Sequence, residues 1–361
     1  MTRLTIAIVV IVGVLMTSSY IVASDSNTKK FANAEASMTT TPAKVWQLFK
    51  AYWQDNRNAA TPNQPIPVRT LSPAELQHKS EAGLYRLGHS TVLIRVDGEY
   101  LLTDPVFSDR ASPVQWAGPK RFHDAPISMA QLPKLKAVII SHDHYDHLDK
   151  HSMVSLADKV EQFVVPLKVG NHLRRWGINP DKIVELNWWQ SIELGSIRLT
   201  ATPTQHFSGR GLLDRDRTLW ASWVVESQQA KIFFSGDSGY FGGFKEIGDR
   251  FGPFDLTLIE TGAYNELWSE IHMLPEQSLQ AHLDLQGKAM LPIHNGTFDL
   301  ALHEWFEPLE RIQQLARQHQ VTLVTPIFGE EVSINQPRIN PTWWQSVEPA
   351  LQTWDLAEAK Q

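Results

Sequence analysis

Residues Ala137–Asp149 read AVIISHDHYDHLD. The apolar run Ala137–Ile140 fits a strand buried on both faces. It leads straight into His142, His144, Asp146 and His147. A strand gives the loop after it a rigid base, which a site of fixed geometry needs. In an extended loop, imidazoles at i and i+2 can converge on one metal ion. The Asp146–His147 pair, two residues on, can turn to a second ion nearby. Imidazole nitrogen and carboxylate oxygen are ligands that suit zinc.

Four ligands do not close two sites, so more are expected downstream. His206 in TPTQHF, Asp237 in FFSGDSGY and His294 in LPIHNGT each follow an apolar run in a Gly- or Pro-marked turn. All three are therefore expected to project from the same edge as His142. Two ions sharing Asp237 would each have three or four protein ligands and a water between them. Such a pair lowers the pKa of the water and clamps a transferring phosphoryl or acyl group.

Composition restricts the chemistry. The chain has 361 residues, 42% hydrophobic and 20% charged, which excludes a mostly disordered polypeptide. The net charge of −6 supplies no overall basic surface for sequence-blind nucleic-acid binding. There are 14 His and no Cys. Disulfides, thiolate zinc sites, iron–sulfur clusters and Cys nucleophiles are thereby excluded.

The organisation along the chain follows from pattern. Arg3, the apolar run Leu4–Met16 and the small residue Ala23 describe an export signal cut after Ala23, or an uncleaved anchor just long enough to span. Either reading of residues 1–23 places the catalytic domain outside the cytoplasm, periplasmic or membrane-anchored. Residues 24–82 read as a linker and an amphipathic helix extension. Within it KVWQLFKAYW (Lys44–Trp53) carries Val45, Leu48, Phe49 and Tyr52 at helical spacing, flanked by Trp46 and Trp53. That helix either packs on the main domain or lays its aromatics into lipid headgroups. Residues 83–331 form the main domain, rich in short β-branched runs with interspersed helices. Residues 332–361 form a C-terminal extension with Trp343, Trp344 and Trp354. The expected fold class is α/β in layers, with two packed mixed β-sheets flanked by helices.

Beyond the metal motif, LGHSTVLI, LLTDPVFSDRASPVQWAGPKRF, ELNWWQ, LWASWVV and RFGPFDL add a longer match. Together they resemble the metallo-β-lactamase superfamily, an αββα sandwich, and within it the N-acylphosphatidylethanolamine-hydrolysing phospholipase D family. The likeness covers roughly residues 83–331. It implies that His142, His144 and His206 hold one zinc, that Asp146, His147 and His294 hold the other, and that Asp237 bridges. Two zinc ions per chain are then expected, with iron or manganese also compatible with the donor set. The implied reaction is phosphodiester hydrolysis of N-acylated ethanolamine phospholipids by a metal-bridging hydroxide. Asp146 orients the hydroxide and takes a proton, and Asp237 completes the catalytic set. His272 in EIHMLPEQS is the candidate acid for the leaving alcohol. Asp104 in LLTDP is expected to accept an N–H from a ligand histidine and fix its tautomer. A phospholipid or membrane-surface substrate and a homodimer follow from the same resemblance.

Other readings share this site: a lactonase, an esterase or a β-lactamase, or a zinc-binding protein without turnover. The long match from Asp104 to Phe122 disfavours the first group, and the complete ligand set disfavours the last. His89 reads as a satisfied structural histidine. His123 and His151 read as surface or packing residues, and His78, His172, His282, His303 and His319 as having no chemical role. Trp116, Trp188 and Trp189 read as seam aromatics that could also line an acyl-chain groove.

Overall fold

A computed structural model describes residues 30–35, 41–77, 80–211 and 213–348. The export or anchor reading of residues 1–23 lies outside the described residues, as do His78 and Trp354.

Alternation of side chains builds four layers. The first sheet contains β1 (Gly83–Arg86), β2 (Val92–Val96), β3 (Glu99–Thr103), β4 (Leu135–Ile139), β5 (Val160–Pro166), β6 (Ile183–Leu186) and β14 (Glu331–Ser333). Its order is β14-β1-β2-β3-β4-β5-β6. The second contains β7 (Ser191–Leu194), β8 (Ile197–Thr202), β9 (Ser222–Glu226), β10 (Lys231–Phe234), β11 (Leu256–Glu260), β12 (Ala289–Ile293) and β13 (Thr322–Leu323). Its order is β13-β12-β11-β10-β9-β8-β7. In β2, Val92, Ile94 and Val96 face the second sheet and meet Ile197, Leu199, Trp223, Ile232 and Leu258. Leu93 points the other way, into a layer with Met153 and Leu156 of α3 (Lys150–Leu156) and Leu173 of α4 (Gly170–Arg175). On the far side, Val224, Phe233 and Ile259 pack under α5 (Gly243–Phe251), α6 (Pro275–Asp284) and α7 (Glu307–Gln318). The result is the αββα sandwich expected.

Both sheets are mixed, and on one plan. β1–β2–β3 are antiparallel and β3–β4–β5–β6 parallel. β7–β8–β9–β10 are antiparallel and β10–β11–β12–β13 parallel. As a consequence β1, β3 and β4 end at one edge of the first sheet, and β8, β10, β11 and β12 at one edge of the second.

The flanks are part of the packing. β14 pairs with β1 and straddles position 331, the boundary read between domain and extension. Trp343 and Trp344 pack against Phe306 and Phe328. The helix Pro42–Trp53 forms as α1 and buries Leu48 against Trp268 and Ile271. Its other face leaves Trp46 and Trp53 exposed, stacked on either side of Phe49.

Trp223 stitches the two sheets together. It is fully buried, and its indole N–H donates to the Ile140 carbonyl at 3.0 Å, at the root of the histidine loop. Trp223→Ala loses that bond and leaves a large void, so it should destabilise the metal-free protein by about 3–5 kcal/mol. Denaturant unfolding of both proteins measures this.

Candidate metal centre

The seven expected metal ligands all leave from the ends of strands, and His272 lies in the loop before the helix Pro275–Asp284. His142, His144, Asp146 and His147 follow β4, His206 follows β8, Asp237 follows β10 and His294 follows β12. Two further residues, not expected from the sequence, arrive the same way. His89 follows β1, and Glu260 ends β11. The fit at the Asp237 turn depends on a glycine. Gly236 has φ +57°, and a Cβ there would lie 2.5 Å from Ser141 Cβ. Only glycine lets this turn press against the histidine loop.

The side chains gather into two adjoining groups. In the first, His142 Nε2 lies 2.8 Å and His206 Nε2 3.3 Å from His144 Nδ1. Asp237 Oδ2 lies 3.8 Å from His142 Nε2 and 3.7 Å from His206 Nε2. In the second, His147 Nε2 and His294 Nε2 are 3.1 Å apart. Asp146 Oδ2 lies 3.4 Å from His147 Nε2 and 3.3 Å from both His294 Nε2 and His89 Nε2. Asp237 touches this group as well, with Oδ1 3.1 Å from His147 Nε2 and Oδ2 3.1 Å from His294 Nε2. It therefore sits between the two groups, as the sharing argument requires.

These atoms fit a cation. Ligand atoms held tetrahedrally about 2.0–2.1 Å from one ion are themselves about 3.3 Å apart, close to the spacings above. Both groups, the second with His89 included, can hold a metal ion, and so can a third that Asp237 and His294 form with Glu260 and His272. Asp237 Oδ1, His294 Nδ1 and both nitrogens of His89 are buried without a hydrogen-bond partner. Orphaned buried atoms of this kind are costly and call for a ligand. No thiol or thioether takes part, so the donor set is nitrogen and oxygen throughout.

The electrostatics carry the same message. Burial pulls His142 and His206 well below the ordinary imidazole value, and the neighbouring His147 lowers His142 further. Burial takes His144 down to about 4 and His89 to about 3. Burial also opposes charge on His147, but Asp237, Asp146 and Asp104 outweigh it and hold that imidazole well above its ordinary value. His294 rises for a similar reason: burial is overcome by Asp237 and Asp146. Buried carboxylates need positive charge beside them. Without a metal, protons on His147 and His294 supply it.

The ligand rings are oriented from behind. Asp104 accepts from Ser141 N at 2.7 Å, from Ser141 Oγ at 2.5 Å and from His147 Nδ1 at 2.7 Å. This is the contact expected of it. Ser141 Oγ lies 2.9 Å from His142 Nδ1. His206 Nδ1 donates to the Ile271 carbonyl at 2.9 Å, which leaves Nε2 as an acceptor for a metal. Asp143, the residue between His142 and His144, faces away. It accepts from Gly209 N, Thr218 Oγ1 and His172 Nε2 and ties the 208–218 loop to the histidine loop. His172 thus has a structural task that its spacing does not reveal.

His272 shares a short hydrogen bond through Nδ1 with Glu260 Oε1. Its ring stands 5.0 Å from His206 and 5.5 Å from His294. Glu260 is fully buried, accepts from Ser238 N at 2.6 Å, and is raised well above the usual carboxyl value by burial and by Asp237. With Nδ1 engaged, Nε2 of His272 is the nitrogen left for the cleft. Of the other histidines, His123 stacks on Phe328, His282 bonds Thr257 and His303 accepts from Ala263 N. Trp188 donates to the Trp220 carbonyl, and Trp189 lies under Arg250, so both serve the seams. Trp116 is exposed.

A two-sheet sandwich with this His/Asp constellation at its edge is a metal-dependent hydrolase. Residues 99–295, more than half of the chain, match the beta-lactamase superfamily domain, and the chain belongs to the metallo-β-lactamase superfamily. It is 45% identical over 307 residues to an uncharacterised protein of Mycobacterium tuberculosis, covering 83% of this chain and 80% of that one. It is 35% identical over 284 residues to N-acyl-phosphatidylethanolamine-hydrolyzing phospholipase D 1 of Caenorhabditis elegans, covering 73% and 79% of the two chains. The fold is also that of Igni18, a metallo hydrolase of Ignicoccus hospitalis, at a TM-score of 0.54, 20% identity, and coverage of 70% and 97%.

Proposed function

We propose that this protein is a phosphodiesterase of the phospholipase D type. Its substrates are N-acylated ethanolamine phospholipids, and its products are phosphatidic acid and an N-acylethanolamine. The observation that carries the reading is the position of α1. Its Leu48 and Tyr52 pack on the segment 267–271, which leads into His272, while Trp46, Phe49 and Trp53 form an aromatic stripe on the outer side. Lys44 adds an ion pair to Glu270 at 3.1 Å. Aromatic rings at an exposed helix face are suited to a lipid headgroup layer. A lipid drawn from that layer would enter beside His272. The 35% identity to the worm phospholipase supports the same substrate class.

In this reading His142, His144 and His206 would hold one zinc, Asp146, His147 and His294 would hold the second, and Asp237 would be available to both. The metal pair, when bound, supplies an activated water and offsets charge on the phosphoryl oxygens. The rest is done by the chain. Asp146, 16% exposed at the mouth, orients the water and takes its proton. Water oxygen bonds to phosphorus as the bond from phosphorus to the ethanolamine oxygen breaks. His272 Nε2–H delivers a proton to that leaving oxygen while Nδ1 takes the proton of Glu260, whose buried carboxyl is held well above its usual value. No helix among the described residues is long and apolar enough to cross a membrane. Export rests on residues 1–23, and surface attachment on α1.

The test is turnover. Purified protein with two zinc equivalents should convert N-acyl-phosphatidylethanolamine in mixed micelles to phosphatidic acid faster than plain phosphatidylethanolamine. No turnover of either, with both metals bound, overturns the reading. His272→Gln should lower kcat by about 10²–10³-fold with metal content unchanged. Loss of metal in that variant would assign His272 to the metal centre instead.

A further inference from the structure

The ligand histidines His142, His147 and His206 each rest on a group behind them: Ser141, Asp104 and the Ile271 carbonyl. Asp146 is different. Its close polar partners here are imidazole nitrogens, and two of them, His147 and His294, are fellow ligands in the proposed centre. The third is His89, whose Nε2 lies 3.3 Å from Asp146 Oδ2.

His89 is held firmly. It is 1% exposed and sits in the tight turn after β1, where Leu87 N donates to the Thr91 carbonyl. Its own carbonyl accepts from His294 N at 3.1 Å, so the edges of the two sheets are joined at this residue. Its ring lies against His294 at 3.9 Å and against Phe298 at 5.4 Å. A neutral imidazole carries one N–H and one lone pair. An orphaned N–H is a costly thing to bury, and Asp146 Oδ2, 3.3 Å from Nε2, is the acceptor within reach of it.

We infer that His89 is a positioning residue for Asp146. Its Nε2–H donates to Asp146 Oδ2 and holds that carboxylate on the metal position formed with His147 and His294. The inference rests on the metal centre proposed above. It adds a residue to that centre that neither ligates nor touches substrate.

Two variants separate this role from packing and from ligation. His89→Phe keeps the ring volume against His294 and removes both nitrogens. His89→Gln places an amide N–H near the position of Nε2. Each is equilibrated, beside wild type, in a chelator-buffered zinc series, and bound zinc is counted by mass spectrometry. Wild type should hold two equivalents. His89→Phe should bind the second about 10–100-fold more weakly, the usual cost of losing such a partner, while His89→Gln stays within a few-fold of wild type. Unchanged affinity in His89→Phe overturns the inference, as does an equal loss in both variants. A wild type that binds fewer than two equivalents overturns the two-metal reading and this inference with it. Should a variant not fold, histidine ¹⁵N NMR of the zinc-loaded wild type decides. The Nε2–H tautomer of His89 is expected, and the Nδ1–H tautomer overturns the proposal.

Discussion

Asp237→Ala should strip the centre of metal and abolish hydrolysis in one step. The carboxylate is 2% exposed and contacts both ligand groups, with Oδ2 3.8 Å from His142 Nε2 and Oδ1 3.1 Å from His147 Nε2. Losing a partner behind a ligand costs about 10–100-fold in metal affinity or activity. Losing the one carboxylate common to both positions should cost more than that on each. Stability of the metal-free protein should fall as well. Asp237 Oδ1 is a buried atom without a hydrogen-bond partner, and burial alone acts to raise this carboxyl. His147 and His294 hold it ionised, well below the usual range. Removing it takes the counter-charge from His147 and His294, each 3.1 Å away, so the metal-free protein should lose about 3–5 kcal/mol. Metal counting, turnover and metal-free thermal unfolding, run on the same preparations, check all three. Retained metal in Asp237→Ala would break the shared-ligand arrangement. Unchanged metal-free stability would show that Asp237 is not held as a paired charge.

The seven residues His142, His144, Asp146, His147, His206, Asp237 and His294 were legible because each lies in the turn or loop that follows an apolar run, and the structure gathers all of them at one edge. Strand direction explains why that signal works. The strands that bear them end on the same side, so a polar residue just past an apolar run lands there. By the same logic His89 and Glu260 were open to discovery. His89 follows a strand of four residues, too short for a periodic pattern to declare itself. Glu260 closes an apolar run as its last residue and reads as strand, although a carboxylate at a fully buried position is itself a signal. Asp143 could not be found by spacing, since it holds a loop more than sixty residues away in sequence, nor could His172, whose partner Asp143 lies on another element. The matching plan of the two sheets was also hidden. Packing constrains volume and alternation and does not require that Val92–Val96 and Ser222–Glu226 look alike.

Acid should unfold the metal-free protein well above the pH at which its carboxylates titrate. Burial lowers His89 and His123 to about 3, and His144, His282 and His303 to about 4. In the unfolded chain each titrates near 6.5. Between those values the unfolded state binds protons that the folded state refuses, so stability falls as pH falls. Each such proton is worth about 1.4 kcal/mol per pH unit. His147 and His294 act in the opposite sense. Raised in the fold, they stabilise fully below about 6.5, and that contribution is lost as pH rises through their folded values. The two effects together place the optimum near neutrality with a steep acid limb. A domain with about 5–15 kcal/mol to lose would exhaust it within roughly two pH units below 6.5. His142, His206 and His272 are lowered too, but His123, His282 and His303 lie outside the ligand groups, so part of the acid limb should persist with metal bound. His123→Phe keeps the stack on Phe328, now 3.7 Å between rings, and removes one titrating group. Its unfolding free energy between pH 5 and 6.5 should change less steeply than that of wild type, by about 1.4 kcal/mol per pH unit. The lost bond to Thr297 should shift the whole curve without altering its slope. Equal slopes for the two proteins would show that His123 is protonated in the fold, and a wild type that gains stability on acidification would reverse the sign argued for the whole set.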